Sequence, residues 1–279
     1  MKQHRLVILG SGYLARFMPF LTSFYLDVLH TSRDPNQNLA WISPNQRLRF
    51  DLVQRDTWSN ISSGTDLLWC FPAAPVDSVR EFAMRIKGLF GKLVVLGSTS
   101  AYDVAESLNY PPPWIDESAS IDLSKPRVQG EELLRRECGA VILRVSGIYG
   151  PNRNPLDWMR TGRVRPSRKY VNLIHVEDLA AICLAALQRG KTGETYNVSD
   201  GTPRTWNEIY MIARDRWHLP EISEQSTRVC GKRIDTRKLR ENLRAFLRHT
   251  DLFASLDRLE RGDATTAEEP TPQDKPADC

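Results

Sequence analysis

The sequence has no apolar run approaching the ~18 to 20 residues that a bilayer-spanning helix requires, and Met1-Lys2-Gln3-His4 lead directly into a strand-like run with no signal-peptide core. Both absences set the expectation of a cytoplasmic protein with no membrane partner. Paired cysteines are missing too. The five present (Cys70, Cys138, Cys183, Cys230 and Cys279) are odd in number, widely spaced and never Cys-x-x-Cys, which fits reduced thiols and gives no metal site. A strong charge imbalance is also absent. The 38 Lys and Arg against 34 Asp and Glu leave a net charge of +4, and the basic residues form no stripe interleaved with aromatics, so nucleic acid is not an expected partner. There is no internal repeat. What remains is 279 residues of ordinary composition, 41% hydrophobic and 26% charged, enough for a real core in one large or two unequal domains.

Against that background one segment stands out. Arg5-Leu6-Val7-Ile8-Leu9 reads as a buried strand running into Gly10-Ser11-Gly12-Tyr13-Leu14-Ala15, the pattern Gly-x-Gly-x-x-Ala. In a nucleotide-binding turn, the first glycine permits the tight bend, the second lets backbone amides approach a pyrophosphate, and the small third residue lets the next helix pack closely. Tyr13, Leu14, Phe17, Phe20 and Leu21 follow at helical spacing. A helix there would direct its N-terminal partial charge at the phosphates.

Strand-like runs continue at 25–31, 48–50, 66–71, 93–97 and 141–145, with helical patterns at 13–21, 76–87 and 127–137 between several of them. This alternation predicts an α/β fold, a Rossmann-like doubly wound parallel sheet, with a smaller C-terminal substrate lobe. Residues 34–46 are polar, contain Pro35 and Pro44, and predict a loop with little helix. From Pro151 the elements shorten: an Arg-rich stretch 152–169, a strand 171–174, a helix 176–188 and a strand 194–198. The expected organisation is a dinucleotide-binding domain over 1–150 with contributions from 170–200, a substrate-binding lobe over 151–261, and a disordered tail over 262–279 that lacks large apolar groups.

Several segments together resemble the extended short-chain dehydrogenases/reductases, the epimerase/dehydratase superfamily, and within it the atypical YeeZ-like group. They are the glycine loop, Leu96–Tyr102, Trp114–Glu117, Leu143–Pro151, Asn172–Ala180, Thr195–Gly201 and Lys232–Asp235, collinear over more than two hundred residues. The loop departs from the more common Gly-x-x-Gly-x-x-Gly form. The resemblance implies an NAD(P)-binding oxidoreductase or epimerase acting on a carbonyl or sugar-nucleotide-like small molecule, and it leaves a homodimer open. By position it implies that Gly10, Ser11, Gly12, Tyr13, Leu14, Asp51, Leu52, Pro72 and Arg144 line the cofactor, with Asp51 at the adenine. A strand-end carboxylate capping the next turn is the other reading of Asp51, and a structural ion pair that of Arg144. At the end of the second strand, Arg33 beside Ser32 suits the 2′-phosphate of NADP, while Asp34 suits the ribose of NAD; NADP is the preferred cofactor and NAD the alternative.

The catalytic positions divide. The resemblance implies a Ser or Thr that polarises the substrate oxygen and a Tyr-x-x-x-Lys whose Lys lowers the Tyr pKa, and Ser98 fits the first. No Tyr here has Lys four residues later; aligned on the downstream Glu, Leu123 or Ser124 stands at the Tyr position and Arg127 or Val128 at the Lys position. A phenol of pKa ~10 is a poor base at neutral pH without such a cation. Two readings therefore stand: an enzyme whose proton route is rebuilt around Ser98, Arg127 and Tyr102, Tyr149 or water, or a non-catalytic NAD(P)-binding sensor. His175 is expected as a neutral histidine bonded to backbone, Asp178 as a dipole partner of the helix at 176. Arg153, Arg160, Arg163, Arg165, Arg168 and Lys169 form either a grip for an anionic substrate or a solvated basic face.

Overall fold

A computed structural model of the chain describes residues 5–18, 23–105, 107–224 and 230–262. The strands are β1 (Arg5–Leu9), β2 (Asp27–Ser32), β3 (Arg47–Arg49), β4 (Thr65–Trp69), β5 (Leu93–Ser98), β6 (Trp114–Ile115), β7 (Val141–Val145), β8 (Gly147–Tyr149), β9 (Tyr170–Val171), β10 (Leu173–His175), β11 (Thr195–Val198), β12 (Arg204–Thr205) and β13 (Arg233–Ile234). The helices are α1 (Pro35–Asn38), α2 (Val76–Ile86), α3 (Pro126–Cys138), α4 (Pro155–Arg160), α5 (Val176–Arg189), α6 (Trp206–Trp217), α7 (Arg237–Leu243) and α8 (Leu252–Arg261).

Seven strands form one sheet in the order β3-β2-β1-β4-β5-β7-β11, every neighbouring pair parallel. This is the Rossmann-like α/β fold expected from the alternation of elements. Near-continuous apolar strands follow from burial on both faces. Alternate side chains of β1 divide accordingly: Leu6 and Ile8 pack with Leu68, Val94, Leu143 and α5, while Val7 and Leu9 pack with Leu67, Trp69, Val95 and the Phe82 face of α2. Each such side chain contributes about 1.5–3 kcal/mol of transfer free energy.

A third cluster joins Tyr149, Leu156, Leu173, Ile209, Leu252 and their neighbours, from β8, α4, β10, α6 and α8. Leu239 and Leu243 of α7 instead pack into the first cluster, beneath the sheet. Three two-stranded pairs, β8 with β10, β9 with β12 and β6 with β13, stitch the later segments to the strand ends.

Two expectations change. The helix expected over 13–21 is a single 3-10 turn, Leu14–Phe17, whose C-cap Met18 already leaves helical geometry; Phe20 and Leu21 lie outside the described residues, as does the tail from 263 onward. A four-residue turn has too few aligned peptides for a macrodipole, so that part of the phosphate-binding argument does not apply. The strand expected at 171–174 is two strands separated by Asn172, whose side chain accepts from Ile234 N at 3.0 Å and donates to Lys232 O at 2.8 Å. No helix among the described residues is long and apolar enough to cross a membrane.

Candidate functional site

In a parallel sheet the loops after the strands converge at one edge, and the crevice opens where the strand order reverses. Here that is between β1 and β4, with β2 and β3 to one side and β5, β7 and β11 to the other.

The turn after β1 is held from below. Gly10 N donates to Thr31 Oγ1 at 3.0 Å, Ser11 N to Thr31 O at 2.9 Å and Gly12 N to Gly10 O at 2.9 Å. Ser11 is buried, its hydroxyl between Ile8 O and the Nδ1 of His30. Burial lowers His30 to about 4, so its ring is neutral there. Gly10 has φ +81°, and a Cβ on it would stand 2.7 Å from the Phe71 ring; this glycine serves the bend. Gly12 differs: a Cβ there would meet nothing within 4 Å. The amides of Tyr13 and Leu14 have no hydrogen-bond partner among the described residues. An open surface over Gly12 with two unpartnered amides beside it fits a pyrophosphate. Leu14 itself packs inward. The Tyr13 hydroxyl donates to Pro151 O at 2.8 Å, and Arg153 stacks over its ring at 4.3 Å, tying the turn to the segment after β8.

Across β2, Arg33 is exposed and makes no hydrogen bond or ion pair among the described residues. Asp34, its competitor for the ribose, caps α1 through Gln37 N at 3.2 Å. Ser32 Oγ accepts from Asp34 N and from Asn38 Nδ2. Asp51, after β3, turns its carboxylate onto Val53 N at 3.0 Å, while its backbone is pinned by Thr57 and Trp58. Leu52 is buried in the second cluster, and Pro72 lies exposed just past β4.

The β5 side is sealed rather than open. Ser98 ends β5, half-buried, its Oγ accepting from Ser100 N at 3.2 Å. Tyr102 is wholly buried; its hydroxyl donates to Asn197 Oδ1 at 2.7 Å and accepts from Arg144 at 2.9 Å. Burial pushes this phenol up to about 12 against the pull of Arg144. Tyr102 is thus fixed in the packing, with both sides of its hydroxyl occupied. Arg144 is likewise turned inward: only 2% exposed, it lies over the Tyr102 ring and pairs with Glu132 at 3.2 Å, so its guanidinium ties α3 to β7 in a structural ion pair. Arg127 is half-buried in the first turn of α3 and unpaired among the described residues.

Sequence reasoning missed Glu131. A Cβ on Gly97 would lie 2.6–2.8 Å from all three atoms of its carboxyl group, so the missing side chain at Gly97 is what admits it. It is 2% exposed, accepts no hydrogen bond among the described residues, and burial raises it to about 7 despite Arg144 and Arg127. The available signal was the glycine pair: Gly97 faces Glu131, and Gly130 allows α3 onto the Ala73 carbonyl, which a Cβ would overlap.

His175, Glu177 and His249 bring three ligand-type atoms within 4.8 Å of one another, unforeseen in the sequence. The two rings are stacked, 3.5 Å apart and 13° from parallel, so their in-plane lone pairs run side by side and do not converge, and Arg258 stands 3.1 Å from His249 Nδ1. The cluster straps 248–249 to α5: Asp178 accepts from Arg248 N and His249 N, and His175 caps the helix through Glu177 N. His175 is held near 3 by burial, neutral as expected. Of the basic run, Arg160 pairs with Asp157 and Glu260, and Arg153, Arg163 and Arg168 lie over Tyr13, Trp158 and Tyr110.

No family model and no curated protein matches the sequence. Solved structures do match in shape. A candidate NAD-dependent epimerase/dehydratase of Methylobacillus flagellatus superposes with TM-score 0.73 at 23% identity, over 93% of this chain and 98% of that one. A short-chain dehydrogenase/reductase superfamily protein of Agrobacterium tumefaciens with bound NAD gives 0.74 at 15%, over 93% and 97%. The dTDP-glucose 4,6-dehydratase of Bacillus anthracis in complex with NAD gives 0.71 at 12%, over 94% and 98%. At these identities the likeness is one of architecture: the chain has the Rossmann-like α/β fold of epimerase/dehydratase and short-chain dehydrogenase/reductase structures.

Proposed function

We propose that the chain binds a nicotinamide dinucleotide along the crevice between β1 and β4 and is an oxidoreductase or epimerase-like protein of the atypical short-chain dehydrogenase/reductase type, taking a small anionic carbonyl or sugar-nucleotide-like substrate. The observation that carries this is the turn after β1. Its two amides without a partner among the described residues and its open face over Gly12 suit a pyrophosphate, while Gly10 and Ser11 are already held by Thr31. Bound there, the dinucleotide supplies a hydride donor and acceptor.

The chain's own residues supply the rest. Arg33, exposed and without a partner among the described residues, offers a planar cation to a 2′-phosphate, and Asp34 is engaged at its helix cap, so NADP is the preferred form. Ser98 would donate its hydroxyl to a substrate oxygen while accepting from Ser100 N. Arg127 offers the cation that the missing Lys would have provided.

The sensor reading is supported by one observation, the confinement of Tyr102 between Asn197 and Arg144. Fluorescence titration with NADPH and NADH tests the shared part: tight binding, with NADPH preferred, is expected, and no binding of either overturns both readings. A turnover screen with sugar nucleotides and small carbonyl compounds then separates them, since Ser98→Ala should reduce turnover in an enzyme and leave a sensor's affinity unchanged.

A further inference from the structure

We propose that Glu131 is the proton reservoir of this crevice, a buried carboxyl that carries a proton in the resting protein and releases it when a cationic ring is bound over the end of β5. The proposal rests on the dinucleotide reading for the ring and on three observations for the group.

First, Glu131 is 2% exposed and its Oε2 has no hydrogen-bond partner among the described residues. An isolated buried carboxylate is strongly disfavoured relative to the neutral acid. Second, the carboxyl group lies on the bare backbone of Gly97, one residue before Ser98, because Gly130 lets α3 settle against the chain after β4. Third, two further buried polar atoms, Ser100 Oγ after β5 and Arg144 Nε on β7, also lack partners among the described residues. Buried polar atoms seldom go unsatisfied.

The charges facing Glu131 set the balance. From β7 comes Arg144, from α3 come Arg127 one turn earlier and Glu132 next door, and β5 presents only the glycine backbone and the hydroxyls beyond it. Arg144 is largely compensated by Glu132 at 3.2 Å. Burial therefore outweighs the cations and favours the neutral acid, and one added positive charge shifts the equilibrium toward carboxylate. The step is a simple dissociation: the carboxyl O–H bond breaks, the proton passes to solvent, and nothing is oxidised or reduced.

The test is proton release in weakly buffered solution at pH 7, read with an indicator dye as NADP⁺ or NADPH is added. With the acid titrating near neutrality, saturation with NADP⁺ should release up to about half a proton per chain. NADPH, whose reduced ring is neutral, should release much less. In Glu131→Gln the difference between the two forms should vanish while NADP⁺ still binds. Binding without a difference in the wild type, or an equal difference in Glu131→Gln, overturns the proposal alone. No binding of either form overturns the dinucleotide reading and the proposal with it. Infrared difference spectra of the wild type give a second measurement that needs no variant: loss of a protonated-carboxyl band on adding NADP⁺ supports the assignment, and an unchanged band overturns it.

Discussion

The turn after β1 and the wall formed by β5, β7 and α3 stand at the same edge of the same sheet, yet they treat polar groups in opposite ways. In the turn, the Gly10, Ser11 and Gly12 amides are bonded to the protein, while the Tyr13 and Leu14 amides have no partner among the described residues and the face over Gly12 is open. In the wall, the charged groups are turned inward onto each other, Arg144 onto Glu132 and Tyr102. The unpartnered atoms there are buried rather than open. An edge that leaves donors exposed is ready to take a ligand with little rearrangement; one that buries them has fixed its geometry and kept a titratable group out of water.

The sharpest way to break this contrast is Gly12→Val. Because the added side chain points into empty space, folding stability should change by less than about 0.5 kcal/mol. Filling that space denies a pyrophosphate the two amides, each charge-assisted bond being worth about 1.5–3 kcal/mol, so dinucleotide affinity should fall roughly 10²- to 10⁴-fold. Thermal melts with fluorescence titrations read both quantities, and retained affinity would place the phosphates elsewhere.

Arg144→Met probes the opposite side. It leaves Glu132 Oε1 and the Tyr102 hydroxyl without their cation in a buried setting, and removing one partner of such a pair costs about 3–5 kcal/mol. Urea unfolding should show that loss, while the folded fraction keeps its dinucleotide affinity. The reverse outcome, an intact fold with lost affinity, would return Arg144 to the cofactor.

Glu131→Gln sharpens the contrast through pH. The folded-state value of about 7 lies above the usual 4.5, so the folded chain holds its proton more tightly than the unfolded one. Wild-type stability is therefore undiminished below about pH 4.5 and declines as pH rises to about 7, by roughly 3 kcal/mol at 1.4 kcal/mol per unit. The Gln variant lacks this decline and should exceed the wild type in stability above pH 7 but not below pH 4.5. Parallel stability curves would mean that the Glu131 carboxyl titrates in the folded chain as it does in the unfolded one.

The two sides also differ in how far the sequence revealed them. The strand into Gly10-Ser11-Gly12 was legible because its chemistry is local: a bend, a bare backbone and an apolar strand lie within eleven residues. The parallel sheet was legible from alternating elements for the same reason, and β1 and β7 fall where periodicity placed them. The helix after the turn was not, since apolar spacing at Phe17 and beyond reports burial and not how many turns the backbone completes. The wall depends on contacts between distant residues. Tyr102 meets Asn197 across 95 positions, and Arg144 meets Tyr102 across 42. A tyrosine near a Ser loop reads as chemistry until the fold shows both sides of its hydroxyl occupied. Glu131 was hidden because a Glu inside a charged helix reads as solvated; only Gly97 opposite it reveals the burial.

The smallest expected effect concerns Arg33, which lies on the open side and should behave accordingly. Its guanidinium has no partner to lose among the described residues, so Arg33→Ala should leave stability within about 0.5 kcal/mol of the wild type. If it meets a 2′-phosphate, one charge-assisted contact of about 1.5–3 kcal/mol is removed, and NADPH affinity should drop roughly 10- to 100-fold while NADH affinity is unchanged. Raising salt should narrow the NADPH advantage in the wild type, because an exposed pair is screened, and should do little in the variant. Equal losses for both dinucleotides would show that Arg33 acts on a group they share. The preference for the phosphorylated form would then have to come from elsewhere around the end of β2, where Asp34, which caps α1, is the next residue to test by Asp34→Ala.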